Sequence, residues 1–494
     1  MSERRASQIL DELRRQGVAV TALCGDSRRV QPGDVFVATV GATSDARQFV
    51  GDAAARGAAA VLYEAQGWQW DVGLTLPNLG VARLTPLLGE IANLVYGRPS
   101  DHLFMVGVTG TNGKTSVSQW CAAALAACGR PCAVIGTLGN GFPGALEPSV
   151  NTTPDAIAVH SSLRDFRAAG ACACAMEVSS IGLAQSRVAG VAFDIAVFTN
   201  LSRDHLDYHG SMDSYAAAKK RLFAWPGLGA AVINLDDAMA PALLDSARAH
   251  GARVTGYSLD AQHAAQFDVD DLLLAGALDE SGGLHFDLHV GAACARVALP
   301  LVGHFNVSNL LAVAGVLMHA GVDLPGSVAA LETLRAPPGR MQRLGGEGAP
   351  LVVVDYAHTP DALDQALQTL RRTARARGGR LICVFGCGGD RDAGKRPLMG
   401  EIAARLADRV FITSDNPRGE SPLAIIEQIA VAAPAADICV DRGDAIAQAI
   451  NEADAADVIL LAGKGHEPYQ EIAGVRLPFS DYDMAQKLLQ ERAR

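Results

Sequence analysis

Residues 103–116, Leu-Phe-Met-Val-Gly-Val-Thr-Gly-Thr-Asn-Gly-Lys-Thr-Ser, constrain the fold more than any other stretch of the chain. The apolar run Leu103 to Val108 predicts a buried strand. It breaks at Gly110, Thr111, Asn112 and Gly113, and Lys114, Thr115 and Ser116 then open an alanine-rich helical stretch. A strand, a glycine turn and a helix N-terminus make a phosphate cradle. Glycine lets backbone N–H groups approach the oxygens, the helix end favours an anion, lysine reaches the terminal phosphates and a hydroxyl can hold Mg²⁺. The match to the general P-loop is imperfect, because Val108 stands where that pattern has its first glycine and Gly107 lies one place earlier. The loop predicts a bound nucleoside triphosphate and does not say what for.

At 494 residues the chain is long enough for about three domains. Charged residues at 19% and hydrophobic ones at 49% suit a globular enzyme. A net charge of −11 argues against nucleic acid or an anionic membrane as the main partner. No apolar run is long enough to span a bilayer, and the polar start, Met1 to Leu13, does not read as a signal peptide. The ten cysteines form no Cys-x-x-Cys pair, so they are expected to be buried and reduced, in the cytoplasm.

Two breaks divide the chain. Gly97-Arg98-Pro99-Ser100 ends a helical pattern at Leu84–Tyr96, and Ala336-Pro337-Pro338-Gly339 precedes a second run of alternating strands and helices. The expected domains are therefore 1–100, a small mixed α/β unit; 101–335, with a parallel sheet; and 336–494, Rossmann-like. In the second, apolar runs at Cys132–Ile135, Ala171–Met176 and Phe193–Phe198 each end in polar residues, which is βαβ grammar with ligands beyond the strand ends. Residues 266–302 alternate around Ser281-Gly282-Gly283 and predict antiparallel strands. In the third, strands near 351–355, 381–385, 409–413 and 457–462 empty into polar loops. Four such loops at one sheet edge make a site. Residues 41–47 form a polar loop able to touch a ligand.

Single residues are ambiguous. Glu177 follows a strand and could be a second Mg²⁺ ligand or a surface and capping carboxylate. His205 and His209 are four apart, but Gly210 and the lack of a third ligand disfavour zinc, leaving a solvated His/Asp loop. Lys219 reads as an exposed helix lysine, although a lysine amine can also add carbon dioxide and become a carbamate. Arg418 could be a surface ion-pairing residue.

The combination is more specific. Thr109 to Thr115, Glu177-Val178-Ser179-Ser180, Asn200 to His205, Gly303-His304-Phe305-Asn306 with Asn309, Gly339-Arg340-Met341 and Asp355-Tyr356-Ala357-His358 occur in one order. That order resembles the Mur ligases, the ATP-dependent amide ligases that build the peptidoglycan stem peptide, over nearly the whole chain. Ser414-Asp415-Asn416-Pro417-Arg418 and Gly463-Lys464-Gly465-His466-Glu467 resemble the member that adds the third residue.

The resemblance implies a UDP-sugar domain, a central ATPase domain and a C-terminal amino-acid domain, with ATP and Mg²⁺ required. It implies that Gly110 to Ser116 hold ATP, with Lys114 on the β/γ-phosphates, and that Asn306, Arg340, Asp355 and His358 also contact the nucleotide. Thr115 and Glu177 would hold one metal, and His205 with a carbamylated Lys219 a second. Ser27, Asn151, Thr152, Thr153, Ser179, Gln185 and Arg187 match positions for UDP-N-acetylmuramoyl-L-alanyl-D-glutamate. Arg391, Asp415, Asn416, Pro417, Arg418, Gly463 and Glu467 match positions for meso-2,6-diaminopimelate.

Arg418 would bind the distal carboxylate that lysine lacks, Glu467 the distal ammonium and Arg391 the carboxylate beside the reacting amine. An unpaired Arg418 would reject lysine by on the order of 10⁴-fold. The expected partners are these small molecules, with no nucleic acid and no membrane span, acting on a monomer. The rivals are a lysine-adding or other Mur-type ligase, a folylpolyglutamate synthase-like enzyme, a P-loop switch or kinase, and a non-catalytic nucleotide-binding module.

Overall fold

The computed structural model describes residues 2–41, 44–279 and 283–492. Residues 42–43 of the polar loop and 280–282 of the expected antiparallel turn lie outside these.

Three sheets carry the architecture, which is α/β. The first has four parallel strands, Leu23–Cys24, Val35–Ala38, Ala60–Glu64 and Asn78–Val81, in sequence order. Alternation in Val35-Phe36-Val37-Ala38 sends Val35 and Val37 into one core, with Leu10, Leu13 and Ile91, and Phe36 into another, with Val50 and Ala53. The helix Leu88–Val95 leans on the central unit. A Cβ on Gly89 would sit 2.1 Å from the Ala189 carbonyl oxygen, so only glycine permits this approach.

The central sheet has eleven strands. Phe104–Thr109 lies between Ala173–Glu177 and Ile195–Phe198, parallel to both. The chain builds outward to one side through Cys132–Gly136 and to the other through Ala230–Asn234 and Arg253–Ser258. The loop after Thr109 therefore opens where strand order reverses, the place where open α/β sheets bind ligands. The three strands Asp271–Asp279, Leu284–Val290 and Ala293–Leu299 close one edge as antiparallel neighbours. The first of them, however, runs parallel to Arg253–Ser258. The helix Lys114–Ala127 and the helix His304–His319 pack together on one face, with Val117, Trp120, Leu310 and Val313 in a shared core.

The third sheet has the order Gln342–Gly345, Leu351–Asp355, Val458–Ala462, Leu381–Phe385, Arg409–Ile412, Asp437–Ile438, parallel except for its first pair. Asp355 and Phe385 both register with Ala462, so the loops that follow these strands emerge side by side. A two-stranded hairpin, Tyr469–Ile472 with Val475–Pro478, adds to that edge.

Several expectations need correction. Glu177 does not follow its strand but ends it, and the strand starts at Ala173 rather than Ala171. The run from Phe193 becomes a strand only at Ile195. Lys219 is not exposed: it is 1% accessible, on the helix Met212–Lys220. The cysteines are all free, but Cys172 and Cys294 are exposed rather than buried. Among the described residues, no helix is long and apolar enough to cross a membrane.

Candidate active site

The phosphate loop is held from below by the strand end next to it. Thr111 N donates to the Asn200 carbonyl and Asn112 N to Asn200 Oδ1, at 2.8 and 2.9 Å, while the Thr199 hydroxyl donates to the Asn112 carbonyl at 2.6 Å. Gly110 has φ +152°, and a Cβ there would fall 1.8 Å from Thr199 Oγ1. Gly113 has φ +84°, and a Cβ would meet Asn309 Oδ1 at 2.5 Å. These two glycines are forced by conformation and space together. The helix starts at Lys114, and its first intrahelical bond is Val117 N to Gly113 O. The N–H groups of the preceding turn are thus aimed at whatever anion the loop holds.

Two lysines converge on this loop. Lys114 Nζ donates to the carbonyls of Gly110 and Thr111 at 2.9 and 2.8 Å, and Lys219 Nζ to that of Gly110 at 2.6 Å. Neither forms an ion pair among the described residues. Burial pushes the Lys114 ammonium below its ordinary range. Lys219 is pushed well below, first by burial and then by Lys114. Lys219 also lies 4.4 Å over the Tyr215 ring, and Tyr215 Oη is 3.0 Å from Thr111 Oγ1.

Glu177 is fully buried, not a surface or capping carboxylate. It accepts from Thr115 Oγ1 at 3.0 Å, Thr137 N at 2.8 Å and Thr137 Oγ1 at 3.1 Å. The register pairing Val108 with Glu177 delivers it there. His205 adopts φ +53° at the start of a short helix, with Nε2 3.5 Å from Asp204 Oδ2, and burial lowers its pKa. His209 turns instead to Ser180 Oγ, 2.9 Å away. Among the described residues, no cluster of three or more His, Cys, Asp or Glu could hold a metal.

The third sheet reaches this site directly. Arg340 Nη2 donates to Thr115 Oγ1 at 3.1 Å, and its guanidinium stacks 4.7 Å over the Tyr356 ring. Asn112 Nδ2 donates to Asp361 Oδ2 at 3.0 Å. Asn306 is buried and donates to the Val302 carbonyl, while its Oδ1 accepts from Asn309. Asp355 accepts from Met341 N at 2.7 Å, and burial raises its pKa. His358 is exposed and bonds the Tyr356 carbonyl.

Beside Glu177, Thr153 Oγ1 bonds the Glu177 carbonyl and Ser179 Oγ, at 2.8 and 3.0 Å. Arg187 donates to the Thr153 carbonyl and to Gln185 Oε1. Thr152 Oγ1 is 3.0 Å from Thr137 Oγ1, so Thr152, Thr153, Ser179, Gln185 and Arg187 form one patch. Asn151 is exposed next to it. Ser27 is buried in the first unit, close to Gly25, which lies near Ile157; among the described hydrogen bonds none joins it to this patch.

At the edge of the third sheet a second cluster forms. Asn416 Nδ2 donates to Glu467 Oε2 at 2.7 Å, and the fully buried Lys464 donates to Asn416 Oδ1 at 3.0 Å and Glu467 Oε2 at 3.2 Å. A Cβ on Gly463 would sit 2.7 Å from Asp415 Oδ2. Arg418 has φ +51°, and its backbone is clamped to the hairpin through Glu471 O and Ala473 N. Its Nη1 donates to the Gly389 carbonyl at 2.8 Å, so it is neither an ion-pairing surface residue nor unpartnered. Pro417 is buried and Arg391 exposed. Glu467, expected to be open to an ammonium, already holds one from Lys464.

Residues given no role earlier include Thr137, Tyr215, Asp361 and Lys464. Tyr215 carried a signal, its i, i+4 spacing from Lys219. Thr137 and Asp361 carried none, because their partners lie 40 and 249 residues away.

Two regions match known domains: residues 108–317 the Mur ligase middle domain, and residues 339–465 the Mur ligase, glutamate ligase domain. The chain is 51% identical over 479 residues to the UDP-N-acetylmuramoyl-L-alanyl-D-glutamate–2,6-diaminopimelate ligase of Ectopseudomonas mendocina, covering 96% of each. It is 52% identical to the ligase of the same name from Pseudomonas aeruginosa, covering 94% of each. A solved structure of a ligase of that name superposes with a TM-score of 0.68 at 38% identity, covering 96% of each chain.

Proposed function

The chain belongs to the Mur ligase family, and from that premise we propose that it joins meso-2,6-diaminopimelate to UDP-N-acetylmuramoyl-L-alanyl-D-glutamate, at the expense of ATP, in peptidoglycan synthesis. One observation carries the ATP-dependent part of the reading. Lys114, without a carboxylate partner, donates to the Gly110 and Thr111 carbonyls at a helix N-terminus, an arrangement that suits a polyanion.

We take 1–100 as the UDP-sugar unit, 101–335 as the ATPase unit and 336–494 as the amino-acid unit. Thr152, Thr153, Ser179, Gln185 and Arg187 bind the nucleotide-sugar dipeptide on the central unit, with Asn151 at their rim and Ser27 on the first unit. Asn306, Arg340, Asp355 and His358 frame the nucleotide. Asp415 to Arg418, Gly463, Glu467 and Arg391 receive the amino acid. We read the enzyme as a monomer that works in the cytoplasm on soluble precursors.

A carboxylate is a poor electrophile. In the proposed sequence, an oxygen of the glutamate carboxylate attacks the γ-phosphorus in line, ADP leaves, and an acyl phosphate forms. The amine of the amino acid then attacks the acyl carbon and loses its proton, and phosphate departs with the C–O electron pair. Lys114 and the N–H groups of the first helical turn hold the phosphates. The Thr115 hydroxyl and the Glu177 carboxylate are hard oxygen donors that fit Mg²⁺, and the absence of a larger acidic cluster among the described residues suits an ion that also takes phosphate and water ligands. When bound, Mg²⁺ supplies charge neutralisation at the transferred phosphoryl group. Lys219 is buried and its amine is driven toward the neutral form, the form that adds carbon dioxide; as a carbamate it would join His205 as a second set of donors.

The test is phosphate release from ATP with UDP-N-acetylmuramoyl-L-alanyl-D-glutamate and diaminopimelate, lysine or no amino acid. Release is expected only with diaminopimelate. Release independent of both substrates would sink the ligase reading, and a preference for lysine would sink the role of Arg418.

A further inference from the structure

The motif Gly463-Lys464-Gly465 contributes a lysine to which the proposed mechanism assigns nothing. Lys464 is among the largest fully buried side chains of the molecule. Its ammonium is shared between Asn416 Oδ1 at 3.0 Å and Glu467 Oε2 at 3.2 Å. Asn416 Oδ1 also accepts from Glu471 N at 2.9 Å, so the amide oxygen points to these donors and the amide nitrogen must point to Glu467. Glu467 Oε2 thus takes two donors. Among the described bonds Oε1 takes none, and the side chain keeps 17% exposure.

The charges around the pocket can be followed one at a time. Arg442 and Asp481 form a wholly buried pair behind it. Arg396 is paired with Glu420. Lys464 is paired with Glu467, Asp415 accepts from Asn416 N, and Arg418 bonds only a carbonyl. Without Lys464, the pocket would gain one net negative charge.

We infer that Lys464 is a specificity-determining residue that selects a net-neutral amino acid over a cationic one, by cancelling the charge of Glu467 while leaving one of its oxygens free. This rests on the reading that the pocket receives diaminopimelate. Diaminopimelate has two carboxylates and two ammonium groups, and lysine has one carboxylate and two ammonium groups. Both offer Glu467 the same distal ammonium, so that contact cannot discriminate between them. Net charge can, because a pocket with an unneutralised carboxylate attracts the cation. Arg418 rewards the second carboxylate, and Lys464 removes the general attraction that would otherwise favour lysine.

The experiment measures kcat/KM for diaminopimelate and for lysine in wild type, Lys464→Met, Glu467→Gln and the double variant. The ratio of the two values, diaminopimelate over lysine, is expected to fall about tenfold or more in Lys464→Met. It should not fall in Glu467→Gln, and should return to within a few-fold of wild type in the double variant, although both substrates bind less well there. Lys464→Arg keeps the charge and should keep the ratio. A ratio unchanged in Lys464→Met, with both substrates equally impaired, would make Lys464 a structural residue only. Should Lys464→Met fail to fold, a double variant whose ratio lies tenfold below that of wild type would overturn the charge argument. A wild type inactive with both amino acids would instead overturn the ligase reading.

Discussion

The phosphate loop and the pocket at the edge of the third sheet both bury lysine, and they treat its charge in opposite ways. At the loop, Lys114 and Lys219 donate to backbone carbonyls and repel each other. At the pocket, Lys464 meets Glu467, Arg396 meets Glu420, and Arg442 meets Asp481. The difference follows from what each region is built to receive. A triphosphate brings its own negative charge, so leaving the Lys114 ammonium uncompensated stores attraction for it. A zwitterionic amino acid brings almost none, so the buried lysine there is compensated, while Arg418, on a carbonyl only, is kept for the second carboxylate.

The sharpest break of this contrast is at Lys219. Lys219→Ala is expected to lower ligase activity by at least about 10³-fold, because the group holds transition-state charge through its partners. Added short carboxylates such as acetate should restore part of it, standing in for a carbamate. A fully active alanine variant would end the carbamate idea.

Stability should separate the regions next. Asp481→Asn leaves Arg442 buried and unpaired, and is expected to cost about 3–5 kcal/mol in chemical denaturation. Lys114→Met removes a cation that nothing pairs, and should stay within about 1 kcal/mol of wild type while abolishing phosphate release. Equal losses in the two variants would erase the distinction.

The smallest effect is a pH dependence. Lys114 has a folded pKa below its ordinary 10.5 because of burial, so over that interval the unfolded chain binds more protons than the folded one. The cost of the half-buried ammonium is therefore fully present below the folded value and is lifted as pH rises toward 10.5. Stability of wild type relative to Lys114→Met should rise across this window. A difference that is flat with pH would mean the ammonium is not desolvated.

These residues also mark what can be read from sequence. The strand ends were legible because an apolar run followed by a polar loop is a local pattern, and the loops after Asp355, Phe385, Ile412 and Ala462 do emerge along one edge. The short strands Gln342–Gly345 and Asp437–Ile438 lack such a run and exist through their neighbours. The burial of Lys219 was hidden for a related reason. Its helix reads as a polar one, and the carbonyl that receives its ammonium lies 109 residues earlier. The sign of charge was legible at both sites, but its compensation was not, since Lys464 and Glu467 acquire their roles from Asn416 on another loop.

Thr115 links the two regions. Its proton is directed to Glu177, and its oxygen accepts from Arg340, in the turn before the third sheet's first strand. A divalent ion that took this oxygen would compete with the guanidinium for the same lone pairs. Thr115 and Glu177 would hold Mg²⁺, and Arg340, on the Thr115 oxygen, stands beside them as a cation supplied by the chain itself. The hydroxyl is therefore a joint between two units of the chain, held from one side by Glu177 and from the other by Arg340.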